Sequence, residues 1–163
     1  MLMIVIIKCN NFDIYAQLLY NSTYIDYLRR LYTMGAKWIK IGVLYFIIGI
    51  AIGLFMSATI DLRWGAAHAH VNVVGWLSTV LIGVVYSVYP KAGNSSLGKG
   101  AFWLYNIGLP FLLASMFMVQ IASVRGIAHY FTFTAGAAVT LGVILFIITV
   151  YTHVHEDEAV TRQ

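Results

Sequence analysis

Apolar residues run along this chain in four blocks, each long enough to cross a lipid bilayer. A membrane-spanning helix takes about 20 residues at about 1.5 Å of rise each. Polar or turn-forming stretches end the blocks: DLRWG, PKAGNSSLGKG, SVRG and HEDE. The pattern predicts an all-α, integral membrane, four-helix up-and-down bundle. The predicted helices cover approximately Trp38–Ala58, Ala67–Tyr89, Ala101–Ala122 and Ile127–Thr152.

Composition supports the membrane assignment. The 163 residues are 61% hydrophobic and 10% charged, with a mean hydropathy of +0.83, which is outside the range of a soluble domain of this size. The lone Cys9 excludes a disulfide framework within the chain. We therefore expect a compact membrane unit whose main partner is the lipid bilayer.

Residues 1–33 form an N-terminal tail ahead of the membrane domain, 34–155, and a short tail, 156–163, follows it. The opening MLMIVIIK is too short to span a bilayer and lacks the small-residue cleavage site of a signal peptide. After it, apolar side chains recur at helical spacing, which predicts an interfacial helix. They are Tyr15, Leu18, Leu19, Ile25, Leu28 and Tyr32. An alternative is that translation starts at Met34 and the tail is not part of the natural protein.

Basic residues set the predicted orientation, because cytoplasmic flanks carry an excess of Lys and Arg. Only Arg63 and Arg125 fall on one side of the predicted bundle. The other side carries Lys8, Arg29, Arg30, Lys37, Lys40, Lys91, Lys99 and Arg162. This predicts a cytoplasmic (inner) membrane protein with both termini in the cytoplasm. The formal charge of +4 reflects this bias and gives no reason to expect a nucleic-acid partner.

Three of the five histidines open predicted helices on the outer side. His68 and His70 begin the second helix and His129 begins the fourth, whereas His153 and His155 belong to the cytoplasmic end. A histidine within a bilayer costs free energy unless it has a partner, so these three indicate a functional site. The alternative is that each imidazole hydrogen-bonds a backbone carbonyl or water and does nothing more.

The spacing of His68 and His70 narrows the kind of cofactor. Residues two apart on an α-helix point about 200° away from each other, so this pair does not readily chelate one ion. It suits a helix that stands between two flat cofactors, or between one cofactor and another partner. Heme b, with its iron, is therefore favoured over copper.

Neighbouring residues are compatible with heme. The His68 face continues through small and polar residues such as Asn72 and Gly75, and the His129 face includes Gly136. Such small residues leave room for a porphyrin, although they equally serve helix packing. Arg63 and Arg125 lie near the helix starts and could bind heme propionates. Alternatively they are interfacial anchors, with Arg63 close to Asp61.

The stretch AHAHVNVVGWLSTVLIGVVYSVYPK, Ala67–Lys91, is similar to the histidine-bearing tenth helix of the catalytic subunit of heme-copper oxidases and nitric-oxide reductases. The shared pattern is His-x-His, Gly before an aromatic residue, Gly-x-x-Tyr and a Pro-Lys ending. AFWLYNIGLP, Ala101–Pro110, resembles the eleventh helix, and Arg125 falls where that family places a propionate-binding arginine. The resemblance covers residues 38–152 and extends to small four-helix proteins that carry the same motif.

This resemblance implies that His68 ligates a high-spin heme and His70 a low-spin heme. The chain lacks the additional histidines that bind copper in the full subunit, so one copy cannot build a heme-copper centre. Apart from Lys40 at the cytoplasmic end of the first span, it also lacks a carboxylate or lysine within the spans for a proton path.

The resemblance therefore predicts a heme b protein in respiratory electron transfer or in the binding or reduction of nitric oxide or oxygen. His70 or His68 would ligate iron with His129 of the same chain or of a second protomer. The alternatives are a non-catalytic accessory or assembly subunit of a respiratory complex, and a copper- or heme-handling membrane protein. If the chain turns over a substrate, the resemblance implies an oxidoreductase of the cytochrome oxidase or nitric-oxide reductase type.

Overall fold

The structure, a computed structural model, describes residues 34–154 and confirms the all-α four-helix membrane bundle. Each helix is long and apolar enough to cross a membrane. The predicted interfacial helix and both outer tails lie outside the described residues, as does His155. The four helices are α1, Met34–Thr59; α2, Leu62–Val88; α3, Ser96–Met118; and α4, Ala122–His153.

The connection between α2 and α3 differs from the expected loop. Pro90–Asn94 forms a short helix, and α3 begins at Ser96, so most of the stretch 90–100 is helical. Pro90 occupies the first turn, where its missing N–H costs nothing. The Ser95 hydroxyl accepts a hydrogen bond from the Gly98 N–H at 3.0 Å and caps α3. The Gly and Ser residues therefore start a helix here.

The turn between α1 and α2 contains a residue in the left-handed backbone conformation. Ile60 has φ 51° and is 86% exposed, and the Asp61 N–H donates to the Met56 carbonyl at 3.3 Å. That bond closes the end of α1 in the manner usually associated with glycine. A β-branched residue is unfavourable in this conformation.

The second helix is not a uniform α-helix. It opens with a turn of 3₁₀-helix, Leu62–Trp64, and continues as α-helix over Gly65–His70. The segment Val71–Ser78 is π-helix, and α-helix resumes over Thr79–Val88. The π segment starts directly after His70.

Aromatic side chains build the core in the half of the bundle near the Pro90–Asn94 connection. The Trp38 side chain is fully buried and packs against the rings of Tyr86, Phe102 and Tyr105 at centroid distances of 6.3, 5.4 and 5.2 Å. Phe146 of α4 packs edge-on against Tyr86 at 5.6 Å. All four helices therefore meet around Trp38 and Tyr86.

Glycines bring α1 and α2 into direct backbone contact. A Cβ atom placed on Gly35 would lie 2.6 Å from the Gly83 carbonyl oxygen, and one on Gly49 would lie 2.4 Å from Oδ1 of Asn72. Neither position has room for a side chain, which is how small residues allow membrane helices to approach closely. This contact fixes which face of α2 is buried.

Candidate functional site

The starts of α2 and α4 lie at the same end of the bundle, which we call the histidine end and define by His68, His70 and His129. Trp64 at the start of α2 packs against Phe117 at the end of α3, with ring centroids 5.4 Å apart. The Thr132 and Ser115 hydroxyl oxygens, from α4 and α3, are 2.8 Å apart. The antiparallel order of the helices explains why residues far apart in sequence share this end.

His68 faces α1. A Cβ atom on Gly53 would lie 3.0 Å from Cε1 of His68, so the imidazole rests directly against the α1 backbone. The Asn72 Nδ2 donates to the His68 carbonyl at 2.9 Å and lies 3.4 and 3.5 Å from the two ring nitrogens. Because both of these last distances are long for a hydrogen bond, the amide makes no strong bond to either nitrogen. The half-buried ring is enclosed by α1 and Asn72.

His70 has a different environment, on the exposed side of α2. Its Nδ1 lies 2.9 Å from the Ala66 carbonyl oxygen. A carbonyl can only accept a hydrogen bond, so Nδ1 carries a proton, and in the neutral form of the ring this leaves the lone pair on Nε2. Metal-ligating histidines typically have this arrangement, in which the second nitrogen donates to a carbonyl.

An apolar groove of about 630 Å³, the α2–α4 groove, lies below His70. Val74, one helical turn from His70, belongs to its wall, as does Val143, about four turns from His129 on α4. The main lining side chains are Val74, Ser78, Leu81 and Val85 of α2, Tyr105 of α3, and Val143 and Phe146 of α4. The groove thus begins one turn below His70 and lies about four turns from His129, and neither histidine lines it.

His129 is exposed at the start of α4, and its nearest core neighbour along the helix, Ala128, is fully buried. Within residues 34–154, no three His, Cys, Asp or Glu side chains come together in a group that could hold a metal ion. The structure therefore brings His68, His70 and His129 to one end of the bundle without forming a three-histidine cluster.

Both arginines of the histidine end have partners. The Arg63 guanidinium donates to both carboxylate oxygens of Asp61, at 2.6 to 3.0 Å, which is the interfacial pair named as an alternative. The Arg125 Nε donates to the Val119 carbonyl at 3.2 Å, at the end of α3. Either arginine would have to exchange its partner in order to bind a propionate.

The residues present fit heme at His70 and do not fit it at His68. His70 offers an exposed ring whose Nδ1 is bonded to a carbonyl, and the apolar α2–α4 groove begins one turn below it. At His68, a porphyrin would have to displace α1 from Gly53. Sequence reasoning placed the two rings on opposite faces but did not show that α1 closes one of them.

The polar contacts below His70 have few signals in the amino-acid sequence. The Tyr105 hydroxyl donates to the Val74 carbonyl at 2.8 Å, inside the π segment. Tyr105 is an aromatic residue in an apolar helix and looks like an ordinary core residue. The only signals were the polar pair Ser78–Thr79 and the glycine at 75.

No protein-family model, curated protein or solved structure matches this chain. The resemblance to the heme-copper oxidase catalytic subunit therefore stays a prediction that depends on the residues quoted for it.

Proposed function

We propose that this chain is a heme b protein of the cytoplasmic membrane, with both termini in the cytoplasm, that acts in respiratory electron transfer or in the binding or reduction of a diatomic gas. The observation that carries the proposal is the environment of His70. Its Nδ1 is bound to the Ala66 carbonyl, its ring is exposed, and an apolar groove begins one turn below it.

The chain's own residues would bind and orient the group in distinct ways. The Nε2 lone pair of His70 would hold the heme iron. His129, from this chain or from a second copy, is the candidate for a second ligand. Val74 would supply an apolar contact one turn below His70, and Arg125 is the cation nearest to His129 in sequence.

The number of histidines that hold the iron would separate the two activities. With two histidines the group would supply one-electron transfer, and with one it would leave a site for nitric oxide, oxygen or carbon monoxide. His68 is held against Gly53 and is not assigned an iron. We therefore propose one heme per chain, in contrast to the two implied by the oxidase resemblance.

The test is a reduced-minus-oxidised visible spectrum of the detergent-purified protein, recorded with and without carbon monoxide. A sharp α-band unaffected by carbon monoxide supports bis-histidine ligation, and a shifted spectrum supports an open iron. His70→Ala should abolish the heme spectrum or convert it, and His129→Ala should do so if His129 is the second ligand. His153→Ala, the matched control at the opposite end of the bundle, should leave the spectrum unchanged.

Two outcomes would overturn the proposal. Protein that contains no heme and fails to bind added heme would favour the accessory-subunit alternative, and binding of copper(I) instead would favour a metal-handling protein. Equal heme content in the His70, His129 and His153 variants would remove the assignment of the ligands.

A further inference from the structure

The π segment Val71–Ser78 separates His70 from the regular lower half of α2. A π-helix bonds residue i to i+5, so it winds less per residue than an α-helix, and such segments occur frequently at functional sites. Each residue of π-helix changes the direction in which His70 points relative to Thr79–Val88. Whatever holds the π geometry therefore helps to set the direction of the His70 ring over the α2–α4 groove.

Three hydroxyl groups bind carbonyls of this segment. The Ser78 Oγ donates to the Val73 carbonyl at 2.8 Å, and the Thr79 Oγ1 donates to the Val74 carbonyl at 3.1 Å. Both bonds reach back five residues within α2. The third donor, the Tyr105 hydroxyl, comes from α3 and reaches the same Val74 carbonyl at 2.8 Å.

Tyr105 is itself firmly held. Its side chain is 1% exposed, and its ring packs against Trp38 at a centroid distance of 5.2 Å. A Cβ atom on Gly142 would lie 3.1 Å from the Tyr105 Cβ, so α4 confines it from another side. Tyr105 therefore connects the π segment to α3 through a fixed donor, whereas Ser78 and Thr79 move with α2.

The contact lies next to the proposed heme site. Val74 stands one turn below His70, and the side chains of both Val74 and Tyr105 line the α2–α4 groove. A displacement of the Val74 carbonyl would be passed to His70 through a single turn of helix.

We infer that Tyr105 is a positioning residue for His70: its hydroxyl holds the Val74 carbonyl in the π geometry and so sets the angle of the imidazole above the groove. This inference rests on the proposed function. It adds a residue that touches neither the iron ligand nor the expected position of the iron, and it acts through the backbone of α2.

Tyr105→Phe tests the inference, because it removes one hydroxyl and keeps the ring that packs against Trp38. We expect the variant to retain heme but to bind it about tenfold more weakly, as for other residues that orient a metal ligand. We also expect a changed EPR signal of the ferric iron, which responds to the orientation of the axial imidazole. In the heme-free protein, amide hydrogen exchange across Val71–Ser78 should be faster than in wild type.

Tyr45→Phe is the matched control. Tyr45 also packs against the π segment, since a Cβ atom on Gly75 would lie 2.9 Å from Cγ of its ring, but its hydroxyl is not the donor to Val74. Thr79→Val removes the second donor to the Val74 carbonyl and should change the EPR signal and the exchange rates in the same direction as Tyr105→Phe, by a smaller amount. Circular dichroism identifies any variant that fails to fold. If Tyr105→Phe does not fold, Thr79→Val tests the inference in its place.

The two proposals fail in different ways. Wild-type protein that binds no heme overturns the proposed function. Heme-loaded wild type and Tyr105→Phe with the same EPR signal, heme affinity and amide exchange would overturn the positioning role of Tyr105 while leaving heme binding at His70 intact.

Discussion

His68 and His70 show how two side chains that are two residues apart on a helix acquire different environments. A rotation of about 200° separates their side chains. The His68 ring rests on the α1 backbone at Gly53, whereas the His70 ring is exposed and bound only through Nδ1 to its own helix. The rotation could be predicted from the spacing alone. The closing of one face by α1 could not, because it depends on how the glycines of α1 meet α2.

The Asp61–Arg63 pair gives a residue-scale prediction. Hydrogen bonds from the Arg63 side chain lower the pKa of Asp61 from 3.8 to about 2. Because the pKa is lower in the folded protein, the pair stabilises the fold above pH 3.8, and this contribution is lost as the pH falls towards about 2. The Arg63 side chain is 67% exposed, so salt should weaken the effect.

Arg63→Gln should therefore raise the Asp61 pKa from about 2 towards 3.8, as followed by the carboxyl carbon shift in an NMR titration. The backbone N–H of residue 63 still donates to the Asp61 carboxylate and should keep part of the shift. Arg125→Gln is the control, since Arg125 donates to the Val119 carbonyl and should leave the Asp61 titration unchanged. An Asp61 pKa that stays near 2 after Arg63→Gln would show that backbone hydrogen bonds cause the shift.

At the scale of elements, the contact between α1 and α2 depends on backbone proximity more than on side-chain burial. In the most apolar 18-residue window of α1, 11% of the residues are buried, compared with 39% for α3, so within residues 34–154 little of α1 is covered by other helices. Gly35, Gly42 and Gly49 each face α2 at a distance that leaves no space for a Cβ atom. Replacing one of these glycines should therefore destabilise the packing of α1 against α2.

Gly35→Ala tests this dependence. The added methyl would lie 2.6 Å from the Gly83 carbonyl oxygen and 2.7 Å from the Ser87 nitrogen, and neither backbone atom can move without shifting α2. We expect a loss of about 1–3 kcal/mol in the free energy of unfolding, typical of overpacking, measured by SDS titration in micelles.

Gly136→Ala is the matched change, because its Cβ would meet only Leu112 Cδ1 at an ordinary 3.8 Å. It should be neutral or slightly stabilising, since alanine is favoured over glycine in a helix. Equal stability of the Gly35 and Gly136 variants would contradict the close-contact account.

The accuracy of the sequence predictions differs between elements for physical reasons. The spans of α1 and α4 were expected to within a few residues, because length and hydropathy decide them. The prediction that turn-forming residues after Tyr89 end the helical structure was wrong. Pro90 starts a short helix there, and Ser95 caps the start of α3. The π segment could not be predicted, because it is held by Tyr105, a residue from another helix.

For the whole molecule, the arrangement of charge and apolar surface describes a protein surrounded by lipid. Large apolar side chains such as Leu54, Leu81 and Ile144 are exposed around the bundle. Lys37, Lys40, Lys91 and Lys99 are exposed towards the end with the Pro90–Asn94 connection, and Arg63 and Arg125 at the histidine end. Since cytoplasmic flanks carry more Lys and Arg, the histidine end should face outwards.

This orientation decides which compartment reaches the proposed heme site, and single cysteines can measure it. In a Cys9→Ser background, Ser123→Cys marks the histidine end and Ser96→Cys marks the opposite end, and both serines are exposed. A membrane-impermeant thiol reagent should label Ser123→Cys in intact cells and Ser96→Cys only after permeabilisation. The reverse pattern would place His70 at the cytoplasmic face, so that its electron donor would have to be cytoplasmic. Labelling of both positions in intact cells would mean that the chain inserts in two orientations, in which case four lysines against two arginines do not fix the topology.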